Sequence, residues 1–368
     1  MRVAIVHDWL TNLGGAERVV EVLSQQYPDA PIYTSVYDQS RLDLFTDKQI
    51  VTSFLQRWPF SKKRHQLYPT LRRYAFESFD FSEYDLVITS ASAEAKGVIT
   101  STDTKHIAYI HTPTRYYWSG YDDYLENPGY GVLNPLVKTA LPRLVKTMRY
   151  WDYAAAARAD VVVANSITVA KRIKKYYNRD AKVIYPPVNV ARFANTSIKD
   201  EGYYLVVSRL IPYKRVDLAI QASNQLGREL VVVGKGSELR KLRKLAGKTI
   251  RFDTNADDAA VVEYMKNCKA FLFPGFEDFG ITPVEAMAAG KPVIGLAKGG
   301  LAETVIDGKT GILFNEQTKD ALVSAMQQFE STSFDSSYIA KHANNYSEAV
   351  FRMKMKEIID EATAQKSA

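Results

Sequence analysis

Cysteine is nearly absent. Cys268 stands alone in 368 residues, which excludes an internal disulfide and a thiolate metal cluster and points to a reducing compartment. No uncharged apolar run approaches the ~18 residues that cross a bilayer, so no membrane span is expected. The opening RVAIVHDWL meets Asp8 after a short apolar run, without the cationic start and long apolar core of a secretory signal. Acid is missing altogether from residues 49 to 76 and from 128 to 150. Neither disorder nor a low-complexity chain fits, because hydrophobic residues make up 46% and charged residues 24%, close to an average globular protein.

The net charge of +7 is uneven. Residues 1–190 hold 24 Lys and Arg against 19 Asp and Glu, and the remainder 24 against 22. Short β-branched runs occupy 3–6, 85–89, 107–110 and 160–164, each leading into a helix-like stretch. The rhythm restarts at 203–207 and continues at 229–233, 270–273, 292–295 and 311–314. Such runs suit strands buried on both faces of a parallel sheet. The expected fold is α/β, with two doubly wound, Rossmann-like domains facing across a cleft. Pro186 and Pro187 block regular pairing and mark the linker. The reading is therefore an N-terminal domain over 1–187 and a C-terminal domain over 188–346. A closing helix over about 347–366 is free to pack back on the first domain.

Doubly wound domains place ligands just beyond the carboxyl ends of their strands, so the candidate residues are those that follow strands. Gly14 and Gly15 come after the first run and open an amphipathic helix, whose free N–H groups would suit a phosphate. A plain strand-to-helix turn explains the same pair, since the spacing fits neither common phosphate loop. Arg209 follows the run at 203–207 at once and Lys214 comes five residues later; a planar fork and a point charge together can hold a diphosphate and stabilise its departure.

In FLFPGFEDFGITPVEAMAAGKPVIG, Glu277 and Glu285 are the paired carboxylates. Thr282 to Glu285 read as a capping box with proline at the first helical position. Glu277 sits instead in a loop beside Gly280, where a carboxylate can accept hydrogen bonds from ligand hydroxyls. His111 ends the run at 107–110, and its five-residue separation from His106 puts the two on opposite faces, so no metal pair is expected. VVVGKGSEL is a partial dinucleotide fingerprint with Leu239 where the third glycine belongs.

Taken together, these stretches resemble the family 4 retaining glycosyltransferases of the GT-B fold. FLFPGFEDFGITPVEAMAAGKPVIGLAKGGLAETVIDGKTGILF carries the likeness through its Glu-x7-Glu pair, EAMAAGKPVI and GG-x-x-E-T-V, with SRLIPYKRVD and GGAERV in support. The resemblance implies that Arg209 and Lys214 bind the donor diphosphate, Glu285 the ribose, and Glu277 the transferred sugar. It also implies that His111 sits beside the reacting sugar, and that the backbone around Phe279, Gly280 and Ile281 meets sugar and phosphates. Catalytic roles then fall to His111, Glu277, Arg209 and Lys214, and donor contacts include Gly14 and Gly15. YIHTPTRYYWSGYDDYL is similar to the bacterial O-antigen mannosyltransferase branch, which implies GDP-mannose as donor; the base pocket would lie near Phe252 and Asp253. Transfer would proceed with retention, without a metal or other cofactor.

The basic, aromatic-rich stretch with Arg57, Lys62, Lys63, Arg64, Arg72 and Arg73 is expected to meet an anionic membrane surface or a lipid-linked acceptor. That places the protein in the cytoplasm, peripheral on the inner face of the cell membrane, in surface polysaccharide or glycolipid synthesis. A solvated basic face explains the charges equally well. Nucleic acid is not an expected partner, because no reader motif accompanies the charge. The alternatives are a UDP-sugar donor, a nicotinamide-dependent oxidoreductase resting on VVVGKGSEL, and a non-catalytic binding subunit.

Overall fold

The computed structural model describes residues 1–64, 68–126, 134–193 and 200–364, with the backbone alone at 63, 64 and 123. Residues 128–133 of the second acid-free stretch, and 365–366 of the expected closing helix, lie outside the described residues. The chain divides into two compact units: Met1–Tyr185 with Phe351–Ala368, and Pro186–Val350.

The first unit is built on seven parallel strands, β1 (Val3–His7), β2 (Ile32–Thr34), β3 (Ile50–Thr52), β4 (Leu86–Ala91), β5 (Lys105–Ile110), β6 (Val161–Ala164) and β7 (Lys182–Val183). Their order is β3-β2-β1-β4-β5-β6-β7. The order reverses between β1 and β4, the place where a doubly wound sheet opens a crevice at its strand ends. Those two strands are buried along their whole length, and Val3 pairs with Leu86 through to His7 with Ser90. The helix Glu348–Ala364 adds Phe351, Met355, Ile358, Ile359 and Ala362 to the core that holds Val3, Ile5, Ile88 and Tyr109. Its apolar residues recur at helical spacing, which gives one buried stripe.

The second unit has six parallel strands, β8 (Tyr204–Val207), β9 (Leu230–Val233), β10 (Ile250–Asp253), β11 (Ala270–Phe273), β12 (Val293–Leu296) and β13 (Gly311–Phe314). They run in the order β10-β9-β8-β11-β12-β13, so the switch point falls between β8 and β11. This unit's core includes Leu218, Ile220, Leu230, Leu272, Ile294 and Met326. Both units thus carry the α/β doubly wound sheets expected from the apolar runs.

Candidate active site

In the second unit the site is assembled from loops that leave β8, β9, β11 and β12. Arg209 and Lys214 come from the first of these, with Lys214 closing the short 3-10 turn Pro212–Lys214. Arg215 then takes a left-handed backbone, φ 50°, before the helix Val216–Leu226 begins. Arg209 is exposed and its Nη2 donates to the Tyr213 hydroxyl at 3.1 Å. The Lys214 ammonium is 12% exposed, lies 5.5 Å from the centre of the Tyr213 ring and forms an ion pair with Glu277. The structure therefore joins two candidates from different loops.

Glycines permit the close stacking of these loops, by an approach that any side chain would prevent. A Cβ at Gly234 would stand 2.0 Å from the carbonyl oxygen of Ser208, and one at Gly236 would stand 2.1 Å from that of Leu210. The two fingerprint-like glycines thus pack the β9 loop against the Arg209 loop. Gly300 does the same for the β11 loop: its Cβ would meet Phe279 Cα at 2.2 Å, and its N–H donates to Glu277 O at 3.0 Å. Gly299 and Gly300 open the GG-x-x-E-T-V motif that carries the family likeness, but the motif by itself assigns them no structural role. Their partner loop is not visible in it.

The helix Ile281–Ala288 departs from the expected capping box. It starts at Ile281, capped by Gly280 at φ 87° without a side-chain cap, so Thr282 lies inside its first turn. Pro283 is tolerated there because first-turn N–H groups have no intrahelical partner to lose. Glu285 is consequently not a cap. Its carboxylate faces the Arg192 guanidinium at 3.5 Å, and Arg192 also donates to the Asp258 carbonyl at 3.0 Å. Arg192 is a site neighbour missed by motif reading, because it belongs to the linker side of the unit, 93 residues away from Glu285. Backbone N–H groups at Gly280 to Thr282 present a donor edge with a positive helix end. Phe279 is buried and packs on Tyr346, with ring centres 5.9 Å apart. Phe252 and Asp253 end β10; the Asp253 carboxylate accepts from Asn255 N–H and the Tyr264 hydroxyl. Those hydrogen bonds, the Asn255 one first, hold its pKa below the usual value.

In the first unit, Gly14 caps the helix Gly15–Gln26 without a side-chain cap, and Glu17 in the first turn is buried. His111 follows β5, is 9% exposed, and its backbone N–H donates to Ala91 O at 2.9 Å. Thr89 and Ser90, consecutive on β4, point to opposite faces and contact His106 and His111 respectively. Burial, then the charge on His7, drives His111 down to about 3. His7 is held above its ordinary value: burial opposes its charge, but the buried Glu17 carboxylate beside it prevails. Asp8, pushed up mainly by burial, accepts from the backbone N–H groups of Ser92, Ala93 and Ala95 and so ties the β1 end to the β4 loop.

The expected basic patch is corrected at one member. Arg72 is 2% exposed and does not face solvent; its Nε and Nη2 bind the buried Glu94 carboxylate at 2.8 and 3.0 Å. The helix Pro69–Glu77 turns Arg72, Ala75 and Phe76 inward together, and a charge on that face needs a partner. Arg57 and Lys62 are exposed, and Arg73 donates to Tyr74 at 2.6 Å. The side chains of Lys63 and Arg64 lie outside the described residues. Phe54, Trp58, Phe60 and Tyr74 of the same stretch are exposed, Phe60 by 73%. Among the described residues no helix is long and apolar enough to cross a membrane.

Comparison with known proteins matches residues 13–192 to the family model for Glycosyltransferase Family 4 and residues 188–351 to that for Glycosyl transferases group 1. The chain is 25% identical over 386 residues to the alpha-1,3/1,6-mannosyltransferase ALG2 of Dictyostelium discoideum, covering 87% of each chain. It is 27% identical over 223 residues to a GDP-mannose-dependent alpha-(1-6)-phosphatidylinositol monomannoside mannosyltransferase of Mycolicibacterium smegmatis, over 52% of this chain and 56% of that one. Apart from ALG2, the chain spans about half the length of the curated relatives it matches. Among solved structures, Anabaena HepE in complex with UDP aligns with a TM-score of 0.71 at 19% identity, covering 98% of this chain and 100% of that one. At that identity the likeness establishes the fold, which is GT-B.

Proposed function

Starting from a chain of GT-B fold whose successive halves match two glycosyltransferase family models, we propose that it is a retaining hexosyltransferase similar to family 4. It moves mannose from GDP-mannose to a lipid-linked or glycan acceptor in bacterial surface polysaccharide or glycolipid synthesis. The observation that carries the reading is the convergence at one switch point of Arg209, the Lys214–Glu277 pair, the Gly280–Thr282 backbone edge and Glu285. This is a diphosphate site beside two carboxylates able to accept from hydroxyls. The mannosyl relatives, one of them named as GDP-mannose-dependent, favour the donor, and likeness to the O-antigen mannosyltransferase branch is part of the same proposal.

In this mechanism the bond between the anomeric carbon and the donor phosphate oxygen breaks as the acceptor oxygen bonds to the same face. The acceptor proton passes to the departing phosphate oxygen. Arg209, Lys214 and the helix N-terminus stabilise the charge that develops on the diphosphate, the part a divalent ion plays in other transferases. Glu277 orients the sugar through its hydroxyls and Glu285 the ribose. No metal or cofactor takes part.

Isothermal titration with GDP, UDP, ADP and NAD in EDTA tests this reading. The expected result is GDP binding that persists without metal and is followed by turnover of GDP-mannose. UDP binding instead replaces the donor, and NAD alone overturns the transferase reading.

The exposed Arg57, Lys62, Trp58 and Phe60 face is proposed to rest on an anionic membrane on the cytoplasmic side. With each basic residue near the surface contributing about 1 kcal/mol, loss of both charges weakens binding by about 30-fold. Sedimentation of an Arg57→Gln/Lys62→Gln variant with phosphatidylglycerol vesicles should show that loss. Absence of wild-type binding ends the proposal.

A further inference from the structure

Three neighbouring strands of the first unit end in a continuous line of polar contacts. On β1, His7 approaches the Glu17 carboxylate through Nε2 at 3.6 Å and contacts the Ser90 carbonyl oxygen through Nδ1 at 2.9 Å. On β4, Ser90 contacts His111 Nε2 through its hydroxyl at 2.8 Å. The line lies inside the protein: His7 and Glu17 are 2% and 5% exposed, and Ser90 is fully buried.

Hydrogen positions in this line follow from counting donors and acceptors. A carbonyl oxygen only accepts, so His7 Nδ1 carries a proton and donates to Ser90 O. The Ser90 hydroxyl has one described partner, His111 Nε2. Were it to accept from that nitrogen, its own proton would have no partner in a site closed to water, at the cost of an unmet buried donor. The hydroxyl therefore donates, and Nε2 is the bare acceptor of a neutral ring. The ring proton must then sit on Nδ1, which has no hydrogen-bond partner among the described residues. His111 retains 9% exposure as a residue, whereas His106 is fully buried.

We infer that Ser90, anchored through its carbonyl by the His7–Glu17 pair, is a positioning residue that fixes His111 as its Nδ1–H tautomer. His111 then serves the ligand as an uncharged hydrogen-bond donor of set direction and not as a proton carrier. The acceptor it suits is an oxygen of the donor substrate, a sugar hydroxyl or a phosphate oxygen. This last step rests on the transferase reading, whereas the tautomer does not. The geometry also explains why the helix after Gly14–Gly15 buries an acid in its first turn: Glu17 is the far end of the line that orients His111.

The test uses the full-length, 15N-labelled protein without ligand. Long-range 15N–1H correlation of the imidazoles, with His111 assigned from a His111→Gln spectrum, distinguishes the two ring nitrogens. Wild type is expected to show a neutral His111 ring at pH 7 with the proton on Nδ1. Ser90→Ala should mix the tautomers, and Ser90→Thr, which keeps the hydroxyl, should restore the wild-type pattern. A proton on Nε2, a doubly protonated ring, or a His111 signal indifferent to Ser90→Ala overturns the inference. With GDP-mannose, Ser90→Ala is expected to lose about 10²-fold in kcat through misorientation, with KM nearly unchanged and Ser90→Thr recovering the rate. A rise in KM with kcat unchanged, or no recovery by threonine despite a native thermal transition, counts against the positioning role. If the wild type turns over no nucleotide sugar, the transferase reading fails, while the ring spectra still decide the tautomer.

Discussion

On the proposed transferase reading, alanine at Lys214 is expected to lower kcat/KM for sugar transfer by about 10²–10³-fold, the usual consequence of removing one fixed electrostatic group from a site where charge develops. The loss should fall chiefly on kcat. Lys214 is held by the turn Pro212–Lys214, by the left-handed Arg215 that follows, and by its pair with Glu277. The opposite loop comes close because Gly275 has no side chain: a Cβ there would stand 2.9 Å from Lys214 O. The ammonium is thus held in place by the protein itself, so the proposed reading requires little reorganisation as a leaving diphosphate gains charge. Steady-state kinetics with the exposed Lys309→Ala as a reference variant checks this. A change confined to KM would show that Lys214 binds ground state and transition state alike, and would remove it from the catalytic set.

The second large effect is on stability. Arg72→Met is expected to destabilise the first unit by about 3–5 kcal/mol, because it leaves the Glu94 carboxylate buried without its cation. Glu94 is fully buried, and its Oε1 accepts from Arg72 Nη2 and from the Tyr116 and Tyr117 hydroxyls. These neutral donors remain in the variant but do not cancel a charge. Beside this pair, Lys96 and Asp152 form a second buried bridge at 2.6 Å, and Asp152 also accepts from Thr114, Trp118 and Tyr177. The two bridges hold the β4 exit segment to the helices Pro69–Glu77 and Asn134–Ala157. Urea unfolding followed at two wavelengths tests the expectation. Arg72→Met/Glu94→Gln should recover part of the loss, since removing both charges leaves none unpaired. A single variant as stable as wild type would mean that water reaches Glu94 in the native state.

Much of this architecture was legible because parallel, fully buried strands write their burial directly into sequence. VAIV, LVIT, VVVA, AFLF and GILF are apolar on both faces, which no solvent-facing strand requires. The strands not foreseen are β2, β3, β7 and β10. They have two to four residues each, and three of them lie at sheet edges. Most of their side chains are partly exposed or polar, as in Lys182–Val183 and residues 251–253, although Ile32 is fully buried. Such segments become strands only because a neighbour offers its free N–H and C=O groups.

For the site, the residue types were visible but their partners were not. Arg209, Lys214, Glu277 and His111 stood out because they follow apolar runs, and strand ends collect ligand-facing groups in any doubly wound sheet. Arg72 was misplaced by the same local logic. Its stretch holds no acid, yet the chain returns 22 residues later with Glu94. Thr282 was read as a cap because local spacing suited it, whereas Gly280 can adopt φ 87° and let the helix begin earlier, releasing Glu285 to Arg192.

By itself, then, the sequence determined the two α/β units, the strand-end positions of the charged groups and the family likeness, since each rests on periodicity or contiguous motif. Tertiary structure alone decided which charges pair, which glycines admit a neighbouring loop, and which nitrogen of His111 is bound. Those outcomes depend on groups brought together from different strands at separations of a few ångströms, where burial makes each missing partner costly.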